Sequence, residues 1–145
     1  MREWGRSLQR QTAGFAEWVE TDAPQPGTIA RFALGAMVLS AGVHKLLAPA
    51  AWTIYVVDWL EPLLIVSPTV FMLINGWLEV GFGLTLLVDR YAALAALVAA
   101  VSLTATCAYL AVVGAAGGGF GDVLARDVGL AGLAWAVFVG EFRAH

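Results

Sequence analysis

The sequence predicts an all-α fold: an integral membrane four-helix bundle, with an amphipathic helix ahead of it and an interfacial helix between its first two crossings. Three observations carry this. Of 145 residues, 60% are hydrophobic and 13% charged, with a mean hydropathy of +0.78, whereas soluble domains carry about 25% charged residues. Four apolar runs, at 28–48, 68–88, 91–113 and 123–142, are each close to the ~20 residues that a helix needs to cross the hydrocarbon core. The connections between them leave no room for a further domain, so residues 28–145 read as one transmembrane domain behind an arm of residues 1–27.

The arm places Arg2, Arg6 and Arg10 at four-residue spacing, while Trp4, Leu8, Phe15, Trp18 and Val19 gather on another face. That pattern predicts a helix lying in the headgroup region. No apolar signal-peptide core precedes Ile29, and Pro24, Pro26 and Gly27 end the arm. The first crossing carries Arg31 at its start and His44 and Lys45 in its last turn, and Pro49 stops it. Lys45, the only lysine, has two readings. As a cation at a helix C-terminus it is favoured by the dipole and can snorkel to the interface; alternatively it turns inward toward a carboxylate or an anionic ligand.

Residues 50–67 are too polar to span. Trp52, Tyr55, Val56, Trp59, Leu60, Leu63 and Leu64 recur at helical spacing opposite Thr53, Asp58 and Glu61, which predicts an interfacial helix broken or kinked at Pro62. Its aromatic residues suit a membrane belt, or a lid over an opening between helices. The second crossing contains Glu79 near its middle, with Asn75 one turn before it and Gly83 one turn after. A carboxylate at that depth costs about 2.5–3.5 kcal/mol on insertion scales, so it faces a bundle interior, finds a partner or carries a proton. The face offers an amide, an acid and a gap where a backbone or a flat ligand can approach.

Asp89 and Arg90 allow only a tight turn, so the third crossing is expected to run antiparallel beside the second. Its Ala92, Ala96, Ala100, Thr104 and Ala108 form a small-residue stripe suited to close packing. Gly114 through Gly121 read as a flexible connection, because no Gly-Lys-Ser/Thr follows to make a phosphate loop. Asp122 is expected to cap the fourth crossing, with Arg126 and Asp127 in its first turn and a second small-residue stripe at Gly132, Ala136 and Gly140.

Orientation follows from the cations. Four crossings place Arg2, Arg6, Arg10, Arg31, Arg90 and Arg143 on one side, and Lys45 and Arg126 on the other. The positive-inside rule then makes both termini cytoplasmic. His44, Lys45, Arg126 and Asp127 converge on the outer face, with Asn75 beneath them and Glu79 deeper still.

Several functions are excluded. The net charge of −3 is small and scattered, which argues against a nucleic acid partner. Cys107 is the only cysteine, and His44 and His145 are the only histidines, so an intramolecular disulfide, a bis-histidine haem or an iron–sulfur cluster has no ligands within the chain. No cofactor bound covalently is expected, and no metal. Ser40, Ser67 and Ser102 lack a base beside them in sequence.

The segments Gly42-Val-His-Lys45-Leu-Leu-Ala-Pro49, Asn75-Gly-Trp-Leu-Glu79-Val-Gly-Phe-Gly83 and Arg126-Asp-Val-Gly-Leu130 together resemble the DoxX-like family of small four-helix membrane proteins, over about residues 28–142. Members of that family include the membrane subunit of thiosulfate:quinone oxidoreductase and other redox-complex proteins. The resemblance implies a subunit of a quinone-linked respiratory-type complex, partnered by the lipid membrane and by other subunits or copies of itself. Glu79 would be the proton relay and Lys45, Asn75, Arg126, Asp127 and His44 the ligand-contacting residues, with a quinone as the implied ligand. Two other functions fit the same residues: a non-catalytic structural or assembly subunit in which Glu79 locks packing, and a small-solute or proton carrier, which four short helices suit less well.

Overall fold

The computed structural model describes residues 2–144, with side chains from residue 12 onward. Five α-helices follow one another: α1 (Arg2–Thr21), α2 (Pro26–Leu47), α3 (Pro68–Leu87), α4 (Ala92–Ala115) and α5 (Gly121–Ala144). Helices α2 to α5 are each long and apolar enough to cross a membrane, and no strand occurs among the described residues. The expected crossings are thus present, each within two residues of its anticipated ends. Pro26 does not close the arm; it opens α2 from the first helical turn, where its missing N–H has no partner to lose. The helical arm is α1, exposed from Thr12 to Asp22, with the Phe15 and Trp18 rings 5.9 Å apart. The side chains of Arg2, Arg6 and Arg10, and of Trp4 and Leu8 on the other face, lie outside the described ones, as does His145.

Antiparallel α2 and α3 share the broadest interface, and α4 and α5 the next broadest; α2–α5 and α3–α4 contacts are narrower. On α2, Arg31, Gly35, Val38, Gly42 and Lys45 are buried or half-buried; on α3, Met72, Gly76, Glu79, Gly83 and Leu86. Both sets step by four and three residues, the 3.5-residue period of a coiled-coil seam. The backbones touch there. A Cβ built on Gly83 would lie 2.6 Å from the Leu39 backbone nitrogen, and one on Gly42 would lie 2.7 Å from that of Val80. The gap that the sequence reserves at Gly83 is therefore filled by a helix backbone.

Because the small face of α3 is occupied by α2, the main partner of α4 is α5 and not α3, despite the tight turn between α3 and α4. That turn places Asp89 and Tyr91 in the left-handed region, at φ 58° and 57°, which aspartate tolerates better than tyrosine. Ala92, Ala96 and Ala100 of the anticipated stripe are buried together with Ala95 and Ala99, against Leu34, Val38, Leu86, Ala134 and Val137; Ala108 is exposed. The second stripe is turned away from the bundle. Gly132, Ala136 and Gly140 are exposed, and α5 instead buries Asp127, Ala131, Ala134 and Val137.

The anticipated interfacial helix is two short 3₁₀ turns, Pro49–Tyr55 and Glu61–Leu63, joined by irregular backbone. Pro49 and Pro62 remove backbone donors. In addition, the Tyr109 hydroxyl of α4 donates to the Tyr55 carbonyl at 2.5 Å and accepts from the Val57 N–H at 3.3 Å, so these backbone groups are satisfied outside any helix. Trp59 packs against the Tyr109 ring at 5.8 Å and Tyr55 against Phe120 at 5.2 Å. The helix α5 starts at Gly121, so Asp122 sits inside the first turn, where its charge meets the positive helix end.

The α2–α3 seam yields a paired expectation. Gly83→Ala drives a methyl group into the α2 backbone and should destabilise the protein by about 1–3 kcal/mol, as overpacking of a tight core does. Gly132→Ala has open space and should be neutral to stabilising, by up to about 1 kcal/mol from helix propensity. Thermal denaturation of both variants in detergent checks the contrast.

Candidate functional site

Glu79 is the twelfth residue of the twenty in α3, about 16 Å along the axis from the helix start and so near the middle of a ~30 Å hydrocarbon core. Its Oε1 accepts from Lys45 Nζ at 2.5 Å. Lys45 belongs to the last turn of α2, and its side chain is directed inward along the seam instead of out to the interface. The inward reading of Lys45 is therefore the one realised. The reason is geometric: a helical side chain leans toward the N-terminus of its own helix, which for Lys45 is away from the C-terminal end of α2 and toward the level of Glu79.

An aromatic contact completes the pair. Lys45 Nζ lies 4.6 Å from the centroid of the Trp52 ring, within the range of a cation–π attraction. The Trp52 indole N–H in turn donates to His44 Nδ1 at 2.8 Å, and the two rings meet edge-on at 5.8 Å. Trp52 is half-buried and His44 exposed. The second oxygen of the carboxylate, Glu79 Oε2, is buried, and among the described residues no group donates to it. A buried acceptor without a donor costs on the order of 1–3 kcal/mol, so this oxygen is the least satisfied polar atom of the site.

The other anticipated residues stand apart. Asn75 does not bond to Glu79: its side-chain N–H donates to the Phe71 carbonyl one turn back, at 3.1 Å. Arg126 and Asp127 pair with each other, Nε to Oδ1 at 2.9 Å, with Asp127 buried and Arg126 exposed; among the described residues no bond joins them to Lys45 or Glu79. An open apolar groove of about 490 Å³ runs along α2 from Ala36 to Leu47, edged by Leu87. It reaches His44 but not the ion pair. Among the described residues, no three of His, Cys, Asp and Glu come together as metal ligands.

A second buried cation was not legible as such. Arg31, expected only as a charge at the start of a crossing, is 6% exposed; it donates to the Leu86 carbonyl at 2.5 Å and forms ion pairs with Asp89 at 3.1 Å and Glu141 at 3.3 Å. The signal for it was present: the topology that puts Arg31 near the N-terminal end of α2 also puts the α3–α4 turn and the end of α5 there, each with one carboxylate.

Four antiparallel apolar helices, with charged groups either paired inside the bundle or kept to its ends, define a multi-pass helical membrane protein. The chain belongs to the DoxX family, whose model matches residues 27–113, more than half of the sequence. The match takes in α2, the aromatic loop, α3 and nearly all of α4, and hence Lys45, Trp52 and Glu79; α5 with Arg126 and Asp127 lies beyond it. Comparison with curated proteins and with solved structures gives no match.

The ion pair can be tested for coupling. Lys45→Met strands the Glu79 carboxylate and should cost about 1–3 kcal/mol, less than a fully buried pair because the side chain of Glu79 is 29% exposed and can take up a proton. Combining it with Glu79→Gln should restore most of that loss. Additive losses in the double variant would show that the two groups do not act together.

Proposed function

We propose that this chain is the integral membrane subunit of a quinone-linked redox complex and that its ligand contact is the Lys45–Glu79 pair. The observation that carries the reading is the buried, donor-less Oε2 of Glu79 beside a buried lysine. A carboxylate oxygen in that position can accept a hydrogen bond or a proton from a ligand hydroxyl, while Lys45 stabilises the charged form of the acid. Oxidation of a quinol releases protons as well as electrons, and Glu79 has the chemistry to take one proton. With one cysteine and two histidines, the chain offers no ligand set for the common redox centres, so the electrons pass to a partner subunit.

The same seam supports a second reading, a structural or assembly subunit. Glu79 lies beside one of the two close backbone approaches of α2 and α3, with its Cβ 2.9 Å from where a Cβ on Gly42 would fall, and an ion pair there fixes the register of α2 on α3 without chemistry.

Two variants separate the readings. Glu79→Gln keeps shape and hydrogen bonding but cannot exchange a proton, whereas Glu79→Leu removes both. On the redox reading, Gln assembles near normally and loses quinone-linked turnover in the native complex, and Leu loses both. Full turnover in the Gln variant, with assembly lost only in the Leu variant, would leave the packing role alone. Purification from native membrane, with identification of co-purified subunits and quinone, gives the partner.

The proposed orientation, both termini cytoplasmic, rests on the six-to-two cation split and the positive-inside rule. A topology reporter fused at the C-terminus should report the cytoplasmic side, and one inserted at Gly118 the opposite side.

A further inference from the structure

Glu79 Oε2 is buried and has no donor among the described residues, although the side chain as a whole is 29% exposed. Access to that oxygen requires a neighbour to move. The neighbour outside the helices is Trp52, whose ring lies on the Lys45 ammonium and whose N–H is held by His44. Trp52 sits in the short 3₁₀ turn Pro49–Tyr55, and the far end of that turn is fixed to α4 through the Tyr55 carbonyl and Tyr109. The other end continues directly from α2 through Ala48, whose N–H donates to the His44 carbonyl, and the turn packs against α2 and α3; the Trp52 side chain itself is held by the His44 bond and by the tilted Tyr55 ring at 6.0 Å.

We propose that His44 is a proton-sensitive latch: protonation of its imidazole releases Trp52 from Lys45 and opens the ion pair toward the loop. An indole N–H can only donate, so a bond to Nδ1 requires a lone pair there, and His44 must be neutral with its proton on Nε2. Imidazolium has two N–H donors and no acceptor. Protonation therefore replaces a hydrogen bond by two N–H groups facing each other. No cation–π contact makes up for this loss, because the imidazole meets the indole at its N–H edge, where the ring quadrupole is positive. The new charge also arises beside that of Lys45, the next residue on the same helix.

The groups facing His44 favour neither a trapped nor an inaccessible state. On its own helix the charged neighbour is Lys45, and from the 3₁₀ turn comes Trp52; Glu79 of α3 is engaged by Lys45. Among the described residues, no carboxylate lies within 4.0 Å of the ring to hold the imidazolium in place. His44 is exposed in the last turn of α2, at the end of the bundle, where a proton need not pass between the helices to reach it. The inference rests on the proposed ligand role of the pair for its purpose, and on donor and acceptor chemistry alone for its operation.

The test uses the full chain in lipid nanodiscs with fluorotryptophan incorporated, the Trp52 fluorine resonance being assigned by its loss in Trp52→Phe. Between about pH 8 and about pH 5, where imidazoles change charge, the Trp52 resonance of the wild type should move. His44→Gln, which supplies an acceptor that cannot titrate, should hold the alkaline position throughout; His44→Leu, which supplies none, should hold the acidic position. A wild-type resonance that ignores pH, or a Gln variant that titrates like the wild type, would overturn the latch. The opening is read separately at one fixed alkaline pH, by the rate at which a hydrophobic carbodiimide modifies Glu79. Leu should react about two- to tenfold faster than Gln, the population change that one net hydrogen bond supports; equal rates would overturn the opening. If the Leu variant does not fold, the wild type at the two ends of the pH range against Gln decides the first point, and Trp52→Ala replaces Leu for the second. Neither readout involves quinone, so failure of the ligand reading and failure of the latch give different results.

Discussion

Close approach of the α2 and α3 backbones is the constraint on which the rest of the molecule depends. In a bilayer no hydrophobic force pushes helices together, so association relies on contact between small residues and on polar groups satisfied across the interface. Gly42, Gly76 and Gly83 supply the first. The second comes from the ends of the same seam, where Arg31 and Lys45 are both turned inward. A side chain entering so narrow a seam finds no water, and each cation must therefore find its partners on the facing helix or beyond it.

The two ends solve this differently. Arg31 is saturated: a carbonyl and two carboxylates surround its guanidinium, whose planar array of five donors suits several acceptors at once. Lys45 meets one carboxylate oxygen and one aromatic face, and the carboxylate retains an oxygen with no donor. The end of the bundle that holds Arg31 is thus a closed electrostatic knot, whereas the end that holds Lys45 keeps unspent hydrogen-bonding capacity beneath a short, partly irregular loop.

Much of this was legible from the sequence, and the limits follow from physics. Segment length and hydropathy locate all four crossings because the thickness of the bilayer leaves little freedom. Glu79 stands out because a carboxylate in an apolar run has few inexpensive explanations. The direction of Lys45 was not decidable, since snorkelling and inward pairing use the same residue at the same helix end, and only the position of α3 selects between them. The loop read as a helix because its apolar residues keep helical spacing; the bonds of Tyr109 to its backbone come from a residue more than fifty positions away. The stripe Gly132, Ala136 and Gly140 shows that small residues mark a face open to approach without saying which neighbour takes it. Arg126 and Asp127, adjacent in sequence, satisfy each other instead of joining the site on α2 and α3.

The Arg31 knot also bears on how the protein is made. Its partners are drawn from residues 86, 89 and 141, and synthesis runs from the N-terminus. A nascent chain with two crossings in the bilayer already contains Leu86 and Asp89, enough to receive most of the guanidinium, but Glu141 emerges only when the last helix is nearly complete. Arg31 Nε therefore meets its carboxylate only with the arrival of the final helix, and an intermediate lacking that helix leaves this side of the guanidinium without its partner. The same contact that holds the mature bundle together marks the unfinished one, chemically, as incomplete.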